Sequence, residues 1–273
     1  MPSFAVSIAI LSLLQAALVA LPQPRRFDWL EAFRSPWWAL VPALSIVVVI
    51  GVVAAEGESA TFLSWLALVA VPPFAALALG WLVRGSRPEW AAAIAPLFLL
   101  AWASPDSLIG ETAATALTAL GCIGLGWLLV SVTPARWLKL GIYAMAAVDT
   151  WFVAADLLQG PNATLTAAAP SGLPRLQVAH FEDALMGFGD FFVAATLGCL
   201  LALSRRRQQL LGAGLVAALG LGFDLFFFAV DTLPATVPVA VALALIELWD
   251  RPIALRGRTR ESPPRRHRVG PRA

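Results

Sequence analysis

Nine apolar stretches separated by loops of alternating charge leave this chain few ways to fold. A spanning helix needs about 20 predominantly apolar residues, and the stretches fall near 4–21, 37–55, 61–83, 90–103, 111–132, 139–158, 184–203, 210–230 and 233–249. Inside hydrocarbon every backbone N–H and C=O must be satisfied within its own segment, so runs of this length predict helices. The expected fold class is therefore all-α, a polytopic membrane protein of about nine transmembrane helices. Trp37, Trp38, Trp81, Trp90, Trp102, Trp137 and Trp249 fall near proposed ends, where an interfacial aromatic belt would put them. Only 13% of the residues are charged, against about 25% in soluble domains. That leaves little room for a soluble domain, and nucleic acid is not an expected partner.

Charge fixes an orientation. Arg25, Arg26 and Arg34 follow the first stretch, Arg84 and Arg87 the third, Arg136 and Lys139 the fifth, and Arg205 to Arg207 the seventh. Eight more arginines, from Arg251 to Arg272, follow the ninth, so of the 19 basic residues only Arg175 falls on the other side. The alternate loops carry Glu56, Glu58, Asp106, Glu111, Glu182 and Asp183. Cytoplasmic loops collect Lys and Arg, which predicts an amino terminus outside and a carboxyl terminus in the cytoplasm of a microbial plasma membrane. A secretory signal carries its positive charge before the apolar run. Here Arg25 and Arg26 come after it, so residues 4–21 are expected to be a retained helix.

Three regions follow: residues 1–132 as a scaffold of five helices, 133–250 as a four-helix core, and 251–273 as a basic, disordered tail touching anionic lipid. The loop 159–183 is rich in Pro, Ala, Gly and Thr and is expected to be mobile. Its Asn162 begins a glycosylation sequon, a pattern common by chance. Cys122 and Cys199 lie unpaired in apolar segments, and His180 and His267 are far apart. Neither a disulfide framework nor a metal site is expected, and no cofactor is implied.

Acids stand inside these stretches without a cation. Asp149, Asp156, Asp190, Asp224, Asp231 and Glu247 lie in or at the edge of proposed spans, and no Lys or Arg lies deep enough to pair with them. An ionisable group at that depth costs at least about 2.5 kcal/mol and is a functional-site hypothesis by default. The sixth and seventh stretches run antiparallel. Asp149 and Asp190 lie at depths that differ by only ~5 Å at a 1.5 Å rise per residue, so they can meet. Two carboxylates in contact share a proton, giving one base to activate water and one acid to protonate a leaving amine. Gly187 and Gly189 flank Phe188 just before Asp190 and remove side-chain bulk there. Pro234 and Pro238 interrupt backbone pairing at the start of the ninth stretch. Exposed backbone there could bind an extended peptide, although proline in a first helical turn is also common. For Asp156, Asp231 and Glu247 an interfacial, solvated role is expected, and for Asp224 a structural hydrogen bond.

Asp149, then Gly187-Phe188-Gly189-Asp190, then Pro234-Ala235-Thr236 occur in order on the sixth, seventh and ninth of nine stretches. This pattern resembles the presenilin and signal peptide peptidase family of intramembrane aspartyl proteases. The resemblance covers helices six to nine; residues 1–130 match only in hydropathy. Val148 stands before the first aspartate where the family usually has Tyr, and Thr236 stands where its third motif has Leu. The resemblance implies a presenilin-like fold, Asp149 and Asp190 as the catalytic pair, and Gly187, Phe188, Gly189, Pro234, Ala235 and Thr236 as substrate-binding residues. Implied substrates are single-span membrane proteins or signal-peptide remnants. Two alternatives share the same acids. Prepilin peptidases also use a Gly-x-Gly-Asp pattern, but with a site facing the cytoplasm. A proton-coupled transporter or channel would use the acids as a relay.

Overall fold

A computed structural model describes residues 4–25, 27–39, 57–157, 172–228, 230 and 232–258. Most of the second apolar stretch, Asn162, Asp231, His267 and the tail beyond residue 258 lie outside the described residues. In chain order the elements are α1 (Phe4–Ala20), the single turn α2 (Asp28–Glu31), α3 (Gly57–Leu77), α4 (Ile94–Ala103), α5 (Leu108–Val132) and α6 (Ala135–Ala154). A two-stranded hairpin follows, β1 (Val178–Phe181) and β2 (Ala184–Gly187), then α7 (Phe188–Ala202), α8 (Arg206–Asp224) and α9 (Val237–Arg258).

The protein is mostly helical, and three segments are long and apolar enough to cross a membrane: Ala60–Leu82, Leu108–Val132 and Arg206–Phe227. Phe4–Ala20, Pro88–Ala103, Phe188–Ala202 and Val237–Trp249 are apolar but shorter. Burial separates these helices into two kinds. Every residue of α7 from Val193 to Ala202 is buried, and α5 buries residues on all its faces. The outer helices α3 and α8 instead leave Phe62, Trp65, Val69, Leu210 and Leu221 exposed. Apolar side chains turned outward on this scale mark a surface that meets lipid or protein, so the molecule associates with a membrane.

Close helix contact around the centre uses small residues. A Cβ at Gly198 of α7 would run into the carbonyl of Leu18 on α1, so glycine is what lets those two backbones touch. The division at residue 132 is therefore no boundary in packing. Both α1 and α5, from the expected scaffold, pack directly on α7.

The start of α7 also differs from expectation. The predicted helix 184–203 begins only at Phe188, because Ala184 to Gly187 pair antiparallel with Val178 to Phe181. Gly187 is extended, at φ −65° and ψ 150°. Two glycines within three residues make a poor helix start, and the short apolar runs on both sides of Glu182-Asp183 pair instead. Glu182 closes the turn with φ 53°. Its N–H donates to Glu111 Oε2 at 3.0 Å, while His180 Nδ1 lies 3.1 Å from Glu111 Oε1. The hydroxyl of Thr115 donates to the His180 carbonyl at 2.7 Å. The last residues of the expected mobile loop are thus clamped to the first turns of α5.

Candidate active site

Asp149 owes its position to the helical period of α6. Leu138, Ile142, Met145 and Ala146 form the buried stripe of that helix, and Asp149 follows at i+3 and i+4 on the same face. Helix α6 ends one turn later in a Schellman motif. Leu157 N–H donates to Phe152 O at 2.9 Å and Asp156 N–H to Val153 O at 3.1 Å. Asp156 takes the left-handed residue of that motif, at φ 52°, and is exposed. Its place in the structure is at the end of the helix, on water-accessible surface.

Asp190 is the third residue of α7, and its Oδ2 accepts the N–H of Gly187 at 3.1 Å. This is half of a capping box, with the acid satisfying a free donor at the helix start. The two glycines differ in their surroundings. A Cβ at Gly187 would lie 3.1 Å from Asp190 Oδ2, whereas at Gly189 it would meet nothing within 4 Å. Space is therefore open directly beside the acid.

Thr236 joins the third element to the first. Its hydroxyl donates to Asp149 Oδ2 at 2.6 Å, and its N–H points to the same oxygen at 3.4 Å. Helix α9 starts at Val237, and Ala240 N–H donates to Thr236 O at 3.1 Å. The residue before the helix therefore has its own N–H free for Asp149. Pro238 sits in the first turn of α9, where a missing N–H costs nothing. Pro234 and Thr236 are buried and Ala235 is half-buried.

Gln15 on α1 bonds the carbonyls of both Asp190 and Ala235, and Thr236, next to Ala235, bonds Asp149, so the two acids stand near enough to interact electrostatically. The structure thus brings Asp149, Asp190, Gly187 and Thr236 into one constellation, with Gly189 opening beside it. Among the described residues, the remaining oxygen of each carboxyl has no protein donor. These oxygens are free to meet water or a substrate carbonyl. A small apolar cavity between α5, α6 and α7, lined in part by Gly141, Met145 and Thr196, does not include either acid in its lining. Its volume of about 10 Å³ is room for roughly one water, not for a peptide.

Sequence reasoning missed Gln15. It is the one amide in α1, is 1% exposed, and falls on the buried stripe Ile8, Leu11, Ser12, Ala16, Val19. Its Nε2 donates to Ala235 O at 2.9 Å and to Asp190 O at 3.3 Å. One side chain thereby ties the Pro234–Thr236 segment to the first turn of α7. A buried amide in an otherwise apolar run is itself a signal, since it must find partners.

The other acids divide as their depth suggests. Asp224 Oδ1 accepts from Ser12 Oγ at 3.1 Å, the structural hydrogen bond expected for it, while its buried Oδ2 has no partner among the described residues. Glu247 corrects the expectation that these acids have no cation: its Oε1 lies 2.8 Å from Lys139 Nζ, and Tyr143 OH donates to its Oε2 at 2.9 Å. Lys139 reaches it because α6 and α9 pack side by side near their charged ends. Among the described residues, no three of His, Cys, Asp or Glu come together in a group that could hold a metal. No family model, characterised protein or solved structure matches this chain.

Proposed function

We propose that this protein is an intramembrane aspartyl protease with a presenilin-like arrangement of about nine spans, and that Asp149 and Asp190 activate water together. The observation that carries the reading is the hydrogen-bonded assembly of the two acid-bearing segments: Thr236 bonds Asp149, Gly187 bonds Asp190, and Gln15 ties Asp190 to Ala235, the neighbour of Thr236. Water attacks the peptide carbonyl while one carboxylate takes its proton. The other carboxyl then gives a proton to the amide nitrogen as the C–N bond breaks. The Thr236 hydroxyl and the Gly187 N–H hold the two groups without occupying their remaining oxygens.

A helical substrate must unwind before water can reach its backbone. Two non-helical stretches lie beside the acids to receive it: β2, which runs directly into Gly187, and the Pro234 segment bonded to Asp149. Non-helical backbone at membrane depth is tolerated where it is buried or lines a cavity, and either stretch can pair with an extended peptide. Substrates of this kind are single-span helices or signal-peptide remnants, cleaved nearer the outer face. The decisive experiment is cleavage of a single-span substrate in reconstituted membranes, with Asp149→Asn and Asp190→Asn tested in turn. Unchanged cleavage in either variant would sink the mechanism.

One observation favours a second reading. Asp224 adds a third deep acid with an unsatisfied buried oxygen, as a proton relay through the bundle would need. Proton flux that disappears in Asp190→Asn, with no cleavage in the parent protein, would favour a transporter.

A further inference from the structure

The opposite end of α7 carries a second organised polar cluster, built from cations. Gln209, in the first turn of α8, is fully buried, and its Nε2 donates to Val19 O at 2.9 Å, Pro22 O at 2.8 Å and Gly198 O at 3.4 Å. These carbonyls belong to the end of α1 and to α7, so the amide nitrogen is committed to helix ends. Its Oε1 accepts from two arginines, Arg206 Nη1 at 2.7 Å and Arg84 Nη2 at 3.3 Å. Arg206 Nη1 also donates to Ala20 O at 2.6 Å.

Arg84 reaches this point because the segment after α3 pairs with the end of α1. Arg84 N–H donates to Leu21 O and Gln23 N–H to Leu82 O, both at 2.9 Å. The two guanidinium groups are exposed, converge on one oxygen and feel each other's charge. Among the described residues, neither is in an ion pair. Each guanidinium has five N–H donors, and the bonds above occupy only one nitrogen of each. Two like charges held side by side with unused donors are mutually unfavourable until an anion bridges them.

We propose that Arg84 and Arg206 form a binding site for a phosphate group, with Gln209 as the fixed element that sets their spacing. Guanidinium pairs bind phosphate oxygens bidentately through several charge-assisted hydrogen bonds. The flanking Arg205 and Arg207 extend the positive surface along the start of α8. Basic pockets between membrane helices take anionic headgroups, and the apolar exterior of α8 offers a seat for the acyl chains. The phosphate of an anionic phospholipid and free phosphate share this chemistry.

The test uses the full chain in neutral detergent. Dioctanoyl phosphatidylglycerol, dioctanoyl phosphatidylcholine and inorganic phosphate are titrated separately, with bound lipid counted by native mass spectrometry and the melting midpoint followed. The expected result is saturable retention of the glycerol lipid over the choline lipid. Its affinity should fall about tenfold or more in Arg84→Gln. A smaller loss is expected in Arg206→Lys, which keeps the charge but not the planar fork, and no change in Arg136→Gln, a basic residue outside the cluster. Inorganic phosphate that binds with the same dependence on Arg84 would support the site and identify free phosphate as its ligand. If Arg84→Gln does not fold, Arg84→Lys takes its place with a smaller expected loss. Binding that ignores both arginines, or that falls equally in Arg136→Gln, overturns the proposal.

Discussion

Two buried glutamines serve the two ends of α7 in opposite ways. Gln15 donates into the carbonyls of Asp190 and Ala235, next to two carboxylates. Gln209 donates into the end of α1 and gathers two cations on its oxygen. The same side chain thus organises an acidic site at one end and a basic cluster at the other. A buried amide must satisfy two donors and an acceptor, and the neighbours that satisfy them decide what it builds. At the acidic end the partners are backbone groups of the segments that carry Asp190 and Thr236, so Gln15 holds the two halves of the candidate site together. At the basic end they are carbonyls of α7 and of the end of α1 and the residues just after it, so Gln209 chiefly holds helices together.

Substituting the acids should give the largest effect and should leave the basic end untouched. Asp149→Asn and Asp190→Asn should each lower cleavage of a single-span substrate about a thousandfold or more, with the melting midpoint little changed. The second expected effect lies at the other end. Gln209→Leu leaves the carbonyls of Val19 and Pro22 without this donor and removes the oxygen that Arg84 and Arg206 share, a loss of about 3–5 kcal/mol. It would be read as a large drop in melting midpoint in detergent. A Gln209→Leu protein that keeps its midpoint but loses cleavage would reverse the comparison.

Gln15→Leu should act the other way, destabilising by only about 1–2 kcal/mol because the main loss is the partner of Ala235 O. Turnover should fall about tenfold, and in kcat more than in KM. Thr236→Val is subtler still, since it removes only the hydroxyl donated to Asp149. It should lower kcat several-fold and stability by about 1 kcal/mol, with Thr236→Ser restoring both. The smallest effect belongs to Glu111→Gln, at the clamp on the hairpin. That partly exposed pair contributes about 0–1 kcal/mol, and a shift in melting midpoint beyond a few degrees would mean the hairpin matters more to the fold than its contacts suggest.

Legibility followed the range of the interactions. The helices at 111–132 and 210–230 were readable because hydropathy is local, and they appear as α5 and α8 with a 3-10 turn. The hairpin was not. Its strands are four-residue runs inside apolar sequence, where a short strand and a helix start look alike. Only their pairing, and the clamp from Glu111 and Thr115 about 65 to 71 residues away, distinguishes them. Asp149 and Asp190 could be singled out as ionisable groups at their depth, and Thr236 only through the resemblance of Pro234-Ala235-Thr236 to a family motif. Gln15 could not be assigned, because its partners lie 175 and 220 residues further along the chain.

The sequence by itself determined that this chain is helical and membrane-associated, and that its basic residues gather on alternate loops. Those properties depend on side-chain transfer free energies, which each segment carries alone. The tertiary structure decided that Thr236 holds Asp149, that the glycines before Asp190 end a strand as well as begin a helix, and that α1 belongs to the site. Buried polar groups must find partners wherever packing brings them, and no local rule names those partners in advance.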